Sequence, residues 1–214
     1  MTPAEIEALS FQIIDEEAGP HGFSPKQWAI VRRMIHTSAD FDYLNTVRFH
    51  PNAIAAGINA IRNGKTVITD TNMAKVGIRA RDLQRFGVQV KCYMADPAVS
   101  KKAVAEAITR AKAAVDAALS DMQDGIYAVG NAPTALLRLI ELVNAREATP
   151  ALIVGLPVGF VNAAESKAAL IELDCPYITN VGRKGGSNLA ASVVNALAKL
   201  AMQGAEPSGL SDED

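Results

Sequence analysis

The sequence predicts an α/β protein with three layers, α/β/α, built on a mainly parallel, Rossmann-like sheet of five strands and preceded by a helical N-terminal segment. From residue 66 onward, short apolar segments alternate with segments of helical periodicity. Strands separated by helices in this way pair in parallel. The apolar segments are also nearly continuous, as burial on both faces of a parallel sheet requires.

Two helices are predicted in the N-terminal segment. The first, Ala4–Ala18, places its leucine and isoleucines on one face. The second begins at a capping box, with Ser24 as the cap, Pro25 in the first turn and Gln27 three residues after the cap. It is predicted to continue to about His36.

Residues 40–51 show no periodicity and are predicted to be irregular, and a helix over Ala53–Asn63 follows. The predicted strands are Thr66–Thr69, Val88–Met94, Ile126–Val129, Leu152–Leu156 and Tyr177–Asn180. The helices between and after them are predicted near Ala74–Phe86, Pro97–Ser120, Thr134–Asn144, Ala163–Leu173 and Ser187–Met202. No linker interrupts this pattern, so residues 1–203 are expected to form one domain. Residues 204–214 are acidic and contain Gly and Ser, which predicts a disordered tail.

The composition favours a cytoplasmic protein and argues against a general binder of nucleic acid or membrane surfaces. The chain has 214 residues and a formal net charge of -2, whereas a general binder of nucleic acid or membrane surfaces is clearly basic. No apolar run is long enough to span a membrane, and the acidic N-terminal segment does not resemble a signal peptide. Cys92 and Cys175 lie in apolar segments without metal-ligand spacing, which indicates core thiols.

Polar segments follow four of the predicted strands, at Asp70, Gly130, Pro157 and Val181. In a parallel sheet these segments meet at the carboxyl edge, where open α/β folds bind ligands. No dinucleotide fingerprint, Walker A motif or paired-histidine spacing occurs there, so no cofactor and no metal is predicted.

The segment Arg183–Ser187 gives the strongest local signal for a ligand. Its glycines allow close approach of the backbone, and the following helix offers unpaired N–H groups. Arg183 and Lys184 add cationic donors, and Ser187 is placed to cap the helix. A carboxylate or a phosphate fits this chemistry, but an ordinary turn with exposed charges explains the segment equally well.

The other polar segments leave similar alternatives open. Asn131 and Thr134 open a helix and either contact a ligand or cap that helix. Ser166 and Lys167 lie a turn or two inside the next helix, where solvated surface is the alternative. Thr71 follows the first strand and either contacts a ligand or stabilises its turn.

Arg33 and His36 share a helical face because they are three residues apart. The helix C-terminus favours a protonated His36, whereas Arg33 opposes it, so the sequence does not fix the direction of a pKa shift. Capping or packing is the more frequent role of such a histidine. Its titration near neutral pH nevertheless makes it a candidate acid or base.

Four segments together are more specific than any one of them: RMIHT from Arg33, GNAPTAL from Gly130, GLPVGFVNAAESK from Gly155 and GRKGGS from Gly182. With them the sequence resembles the precorrin-8X methylmutase family, also called precorrin isomerase, from about Ser10 to Leu200. The resemblance implies a single precorrin isomerase domain over residues 1–203.

The resemblance also implies the reaction. In this family a methyl group moves from C-11 to C-12 of ring C of a corrinoid, giving hydrogenobyrinate in cobalamin biosynthesis. This 1,5-sigmatropic shift needs no redox partner and no methyl donor, in agreement with the missing nucleotide motifs. The implied partners are the corrinoid substrate and product, a second copy in a homodimer, and the next enzyme, which receives the product. Whether the substrate carries cobalt is not determined by the sequence.

The family's proton donor/acceptor corresponds to His36, which is expected to act at the ring C nitrogen. Ser10 and Arg33 are implied substrate contacts. Further candidate contacts are Thr71, Arg110, Asn131, Thr134, Ser166, Lys167, Arg183, Lys184 and Ser187. Two other functions remain open: a non-catalytic corrinoid carrier that hands the macrocycle to the next enzyme, and a transferase that binds a nucleotide at GRKGGS.

Overall fold

The structure, a computed structural model, describes residues 1–203; the predicted tail, 204–214, lies outside the described residues. The N-terminal segment forms α1 (Pro3–Ala18) and α2 (Pro25–Ser38). At the start of α2 the Ser24 hydroxyl accepts the Gln27 backbone N–H, and the Gln27 side chain accepts the Ser24 N–H. The predicted capping box is therefore confirmed.

The prediction that residues 40–51 are irregular is wrong. They contain α3 (Tyr43–Thr46) and β1 (Val47–Phe49), and β1 pairs antiparallel with residues 178–180. A strand of three residues is too short to show a period, and its pairing partner lies far along the chain. The described sheet consequently has six strands, one more than predicted.

The remaining elements alternate as predicted. They are α4 (Ala53–Arg62), β2 (Val67–Thr69), α5 (Asn72–Gly77), α6 (Ala80–Gln84), β3 (Val90–Lys91), α7 (Pro97–Ala105), α8 (Arg110–Ala117), β4 (Ile126–Val129), α9 (Pro133–Asn144), β5 (Leu152–Gly155), α10 (Ala163–Ile171), β6 (Tyr177–Asn180) and α11 (Ser187–Met202). Two long predicted helices, Ala74–Phe86 and Pro97–Ser120, are each divided in two. In the second, Ala107 adopts a left-handed conformation and Thr109 caps a new helix.

The strand order is β1-β6-β5-β4-β2-β3, and every pair except β1–β6 is parallel. One core cluster joins one face of the sheet to α2, α4 and α11, and a second joins the other face to α8, α9 and α10. The predicted class, a three-layer α/β/α protein with a mainly parallel sheet, is confirmed. The carboxyl ends of β2, β4, β5 and β6 share one edge, from which α5, α9, α10 and α11 lead away.

Within residues 1–203 no helix combines the length and the apolar character needed to cross a membrane. Cys175 is buried and Cys92 is half-buried, and both are free thiols. Burial raises the pKa of Cys175 to about 11, which keeps this thiol protonated and unreactive near neutral pH.

Candidate functional site

Asp70 joins the ends of β2 and β4 at the carboxyl edge. Its carboxylate accepts the backbone N–H groups of Gly130, Asn131 and Ala132 at 2.9, 2.8 and 2.8 Å. Burial raises the pKa of Asp70, and the three hydrogen bonds oppose that rise. The carboxylate stabilises the β4–α9 turn, so these three N–H groups are already occupied and are not available to an anionic ligand.

Thr71 and Ser187 connect the β2–α5 turn to the start of α11. Their hydroxyl oxygens lie 2.8 Å apart, and Thr71 caps α5 by accepting the Ala74 N–H. The expectation that Ser187 caps α11 is wrong: Gly186 is the N-cap residue, without a side-chain hydrogen bond, and the Ser187 hydroxyl is used by Thr71. A Cβ on Gly130 would lie 2.5 Å from the Ser187 Cα, so glycine is required where the two loops meet.

Ser166 and Lys167 do not reach the surface of the site. Both are fully buried, and the Ser166 hydroxyl donates to the Ala163 carbonyl. The Lys167 ammonium donates to the Asn180 side-chain oxygen at 3.1 Å and to the Lys184 carbonyl at 2.7 Å. Direct contact of either side chain with a ligand is therefore not supported. The sequence did hold a signal, because the buried residues of α10 follow the i, i+3, i+4, i+7 spacing of a core face.

Lys167 leads to a prediction about pH and stability. Burial lowers the pKa of its ammonium from 10.5 to about 8. Between these values the unfolded chain holds a proton that the folded chain has lost, so rising pH favours the folded state. The free energy of unfolding is compared between the wild type and Lys167→Met at each pH. The difference, wild type minus variant, is expected to rise by about 2–3 kcal/mol from about pH 7.5 to pH 10. Urea unfolding at both pH values measures it; a constant or falling difference would contradict the burial of the ammonium.

Arg183 and Lys184 are both exposed, but they differ in whether they are available to bind an anionic ligand. The Lys184 ammonium pairs with Asp40 at 2.7 Å and with Asp42 at 2.5 Å, which raises the pKa of Lys184 and ties the β6–α11 turn to the end of α2. The Arg183 guanidinium lies 5.6 Å from the ring centroid of the exposed Phe160. Within residues 1–203 no carboxylate pairs with Arg183, so Arg183 is the cation of this turn that can meet an anionic ligand.

His36 lies at the C-terminal end of α2 and is exposed. It lines a cavity of about 340 Å³, together with Arg33, Thr37, Gly77, Arg79 and Asn188. It also lines a cavity of about 420 Å³, together with Ser10, Ile13, Ile35, Ala39 and Phe41. Because Asn188 directly follows Ser187, the imidazole lies at the same edge of the sheet as the β6–α11 turn.

Three cations surround one carboxylate beside His36. Arg33 donates to Glu7 at 3.1 Å, Arg79 lies 3.9 Å from the same oxygen, and Lys199 lies 3.4 Å from the other oxygen. Burial acts to raise the pKa of Glu7, but Arg33 and Lys199 outweigh it and hold that pKa below its ordinary value. The excess of positive charge makes this region suitable for an anionic ligand. No local motif marks Glu7, Arg79 or Lys199, and sequence analysis missed them.

The other predicted contacts occupy different parts of the edge. Ser10 uses its hydroxyl to bond the Ile6 carbonyl within α1. Thr134 accepts a hydrogen bond from the Thr109 hydroxyl, which places Arg110, the first residue of α8, near the start of α9. The N-cap of α9 is Ala132, without a side-chain hydrogen bond, so neither Asn131 nor Thr134 caps that helix. Neither Arg110 nor Thr134 lines the two cavities at His36.

The fold and this site define an α/β protein whose carboxyl sheet edge combines an exposed imidazole with cations suited to an acidic ligand. The sequence profile described as precorrin-8X methylmutase matches residues 5–200. A cobalt-precorrin-8 methylmutase from Priestia megaterium is 48% identical, covering 94% of this chain and 90% of that protein. A precorrin-8X methylmutase from Pseudomonas aeruginosa is 37% identical, covering 88% and 91%.

The fold leads to the same family. The crystal structure of a precorrin-8X methylmutase from Thermus thermophilus superposes with a TM-score of 0.88 at 45% sequence identity, covering 96% of this chain and all of that one. The chain therefore belongs to the precorrin-8X methylmutase family, which comprises isomerases of cobalamin biosynthesis. The names of these relatives favour an enzyme over a corrinoid carrier.

Proposed function

We propose that this chain catalyses the migration of a methyl group from C-11 to C-12 of ring C of a corrinoid, with His36 as the proton donor and acceptor. One observation carries the proposal: the exposed imidazole of His36 lies between two cavities, beside Arg33 and Arg79 and next to the start of α11. A polyacidic, flat macrocycle requires cations for its carboxylates, and the proposed proton transfer requires an acid–base group such as an imidazole.

His36 acts on the ring C nitrogen by protonating it or hydrogen bonding to it. Either interaction withdraws electron density from the conjugated ring and lowers the barrier to methyl migration. General acid catalysis of this kind contributes about 10²–10⁴-fold. The guanidinium groups hold the acetate and propionate side chains, so that the ring is fixed in a reactive orientation.

The experiment that tests the function is multiple turnover. Purified protein is mixed with a large excess of substrate, and the conversion is followed by visible absorption and mass analysis. An isomerase converts many equivalents, and the mass of the corrinoid stays unchanged. A spectral change that stops at one equivalent per chain would instead identify a carrier.

We further propose that the substrate carries cobalt. The support is that several relatives of 35–48% identity, the Priestia megaterium enzyme among them, are named for a cobalt substrate, whereas the Pseudomonas aeruginosa enzyme at 37% and the Thermus thermophilus enzyme at 45% are named without cobalt. Parallel assays with the cobalt and metal-free forms are expected to give the higher kcat/KM for the cobalt form. A higher value for the metal-free form would reject this part of the proposal.

Arg79 supplies a prediction about substrate binding. It is half exposed and shares the Glu7 carboxylate with the buried Arg33, so it is free to turn towards a substrate carboxylate. Arg79→Ala is expected to raise KM about 5–10-fold, because a hydrogen bond to a charged group is lost at a partly solvated position. Arg81→Ala, in the neighbouring helix α6 and outside the cavity, is the matched control. Equal KM values for the two variants would contradict the role of Arg79.

The proposal also places the activity in one precorrin isomerase domain over residues 1–203, in a cytoplasmic homodimer that passes its product to the next enzyme. The apolar side chains of Ile6, Leu9 and Ile13 are exposed on α1 beside the His36 cavities, which supports contact with a second copy. Sedimentation equilibrium tests the dimer. A monomer at micromolar concentration would reject it.

A further inference from the structure

Lys167 is a buried cation that the proposed reaction does not use directly. Its side chain is fully buried in α10, and its ammonium is directed at the strand end and turn that precede α11. Burying an ammonium costs folding free energy unless it is well compensated, whereas an apolar side chain of similar shape avoids that cost. Burial also lowers the pKa of Lys167, which shows that the folded environment disfavours its charge. This cost offsets what the hydrogen bonds of the ammonium contribute to stability, so stability alone does not explain the presence of a lysine here.

Three hydrogen bonds link the Lys167 ammonium, the Asn180 side chain and the Lys184 carbonyl to one another. The Lys184 carbonyl accepts from the Lys167 ammonium at 2.7 Å and from the Asn180 amide at 2.9 Å. The Asn180 side-chain oxygen accepts from the same ammonium at 3.1 Å. Asn180 is itself fully buried at the end of β6. One carbonyl of the β6–α11 turn is thus held by two buried side chains from different elements.

The turn held in this way, Gly182–Gly186, is packed closely against the neighbouring loop. Gly186 donates its N–H to the Leu156 carbonyl at 2.9 Å, and a Cβ on Gly185 would lie 2.3 Å from the same oxygen. A shift of the Lys184 carbonyl is therefore transmitted to Arg183 on one side and to the start of α11 on the other. Asn188, in the first turn of α11, lines the cavity at His36, and Arg183 is an exposed cation without a paired carboxylate among residues 1–203.

We propose that Lys167 is a positioning residue, which holds the Gly182–Gly186 turn so that Arg183 and the first turn of α11 meet the substrate carboxylates. Lys167 acts through the turn and does not touch the substrate. This inference rests on the proposed function, because it assigns the turn to corrinoid binding.

The test compares Lys167→Met, which leaves an unbranched apolar side chain one atom shorter and removes the charge, with Lys65→Met. Lys65 pairs with Asp124 at the amino edge of the sheet, away from the site. At pH 7.5, Lys167→Met is expected to raise KM at least 10-fold and to keep kcat within about 3-fold. Lys65→Met is expected to leave KM unchanged. A wild-type KM in Lys167→Met would overturn the inference.

A double-mutant cycle with Arg183→Ala separates positioning from a general structural role. If Lys167 acts through the turn that carries Arg183, the two increases in KM do not multiply in the double variant. Increases that multiply would overturn the inference. Should Lys167→Met fail to fold, Lys167→Ala is assayed with added propylammonium; recovery of KM with propylammonium but not with propanol supports the inference, and no recovery counts against it.

Hydrogen exchange gives a readout that does not depend on the substrate. Peptides that span residues 180–187 are expected to exchange faster in Lys167→Met than in the wild type, and at the wild-type rate in Lys65→Met. Unchanged exchange in Lys167→Met would overturn the inference even if the protein is an active isomerase. Absence of turnover by the wild-type protein would instead overturn the proposed function.

Discussion

Replacement of His36 by Ala is expected to lower kcat by about 10²–10⁴-fold and to leave KM within about 3-fold. The substitution removes the imidazole that is the proposed proton donor and acceptor, and general acid catalysis is worth this range. The cations that hold the substrate carboxylates remain in place. Because the imidazole is exposed and contacts the edge of Phe11 at a centroid distance of 5.2 Å, the fold is expected to tolerate the change. Initial rates under multiple turnover measure the effect.

His50→Ala is the matched control. His50 accepts the Asn52 N–H and contacts Tyr177 at the amino end of β6, the opposite edge of the sheet. Its kcat is expected to equal that of the wild type. His36→Asn adds a second comparison, since an amide N–H can donate a hydrogen bond but cannot transfer a proton. A wild-type rate in His36→Asn alone would show that hydrogen bonding suffices, and a wild-type rate in His36→Ala would reject the role of His36.

Asp70→Ala is expected to lower the free energy of unfolding by about 3 kcal/mol. The substitution leaves three N–H groups of the β4–α9 turn without their acceptor, and a buried donor left unpaired costs about 1–3 kcal/mol. Partial access of water to Asn131 and Ala132 keeps the total below a simple sum. Urea unfolding at neutral pH measures the change.

Asp124→Ala is the control for this prediction. Asp124 is exposed and pairs with Lys65 at the surface, so its replacement is expected to cost less than about 1 kcal/mol. A cost below 1 kcal/mol for Asp70→Ala as well would mean that the turn does not depend on the carboxylate. Asp70→Ala is also expected to lower activity, because the β4–α9 turn that Asp70 holds packs against Ser187 at the start of α11.

The local signals of the sequence predicted most of the fold. The capping box at Ser24 and the four parallel strands that end at the site are recognised from neighbouring residues, because caps and buried strands impose short-range patterns. The motif segments around His36, Asn131 and Arg183 were sufficient for the resemblance to a family. Where local patterns were ambiguous, as in the helices divided at Ile78 and at Ala107, the sequence predicted a longer element than the structure contains.

The site was predicted less completely, because its members come from separate elements. The cluster of Glu7, Arg33, Arg79 and Lys199 depends on the packing of α1, α2 and α11, and no spacing along the chain reveals it. Ser187 was expected to be a cap, but Thr71 uses its hydroxyl across the edge of the sheet.

The sequence by itself determined the α/β class, the family, and the edge of the sheet where polar loops collect. Only the tertiary structure decided what each of those polar groups is free to do. It showed that Asp70 and Lys167 form hydrogen bonds within the protein and that Lys184 forms ion pairs with Asp40 and Asp42. Arg183 and His36, by contrast, are exposed and available to a ligand. The physical reason is that hydrogen bonds and ion pairs between distant residues, together with burial, set the availability of a polar group, and none of these is encoded in local periodicity.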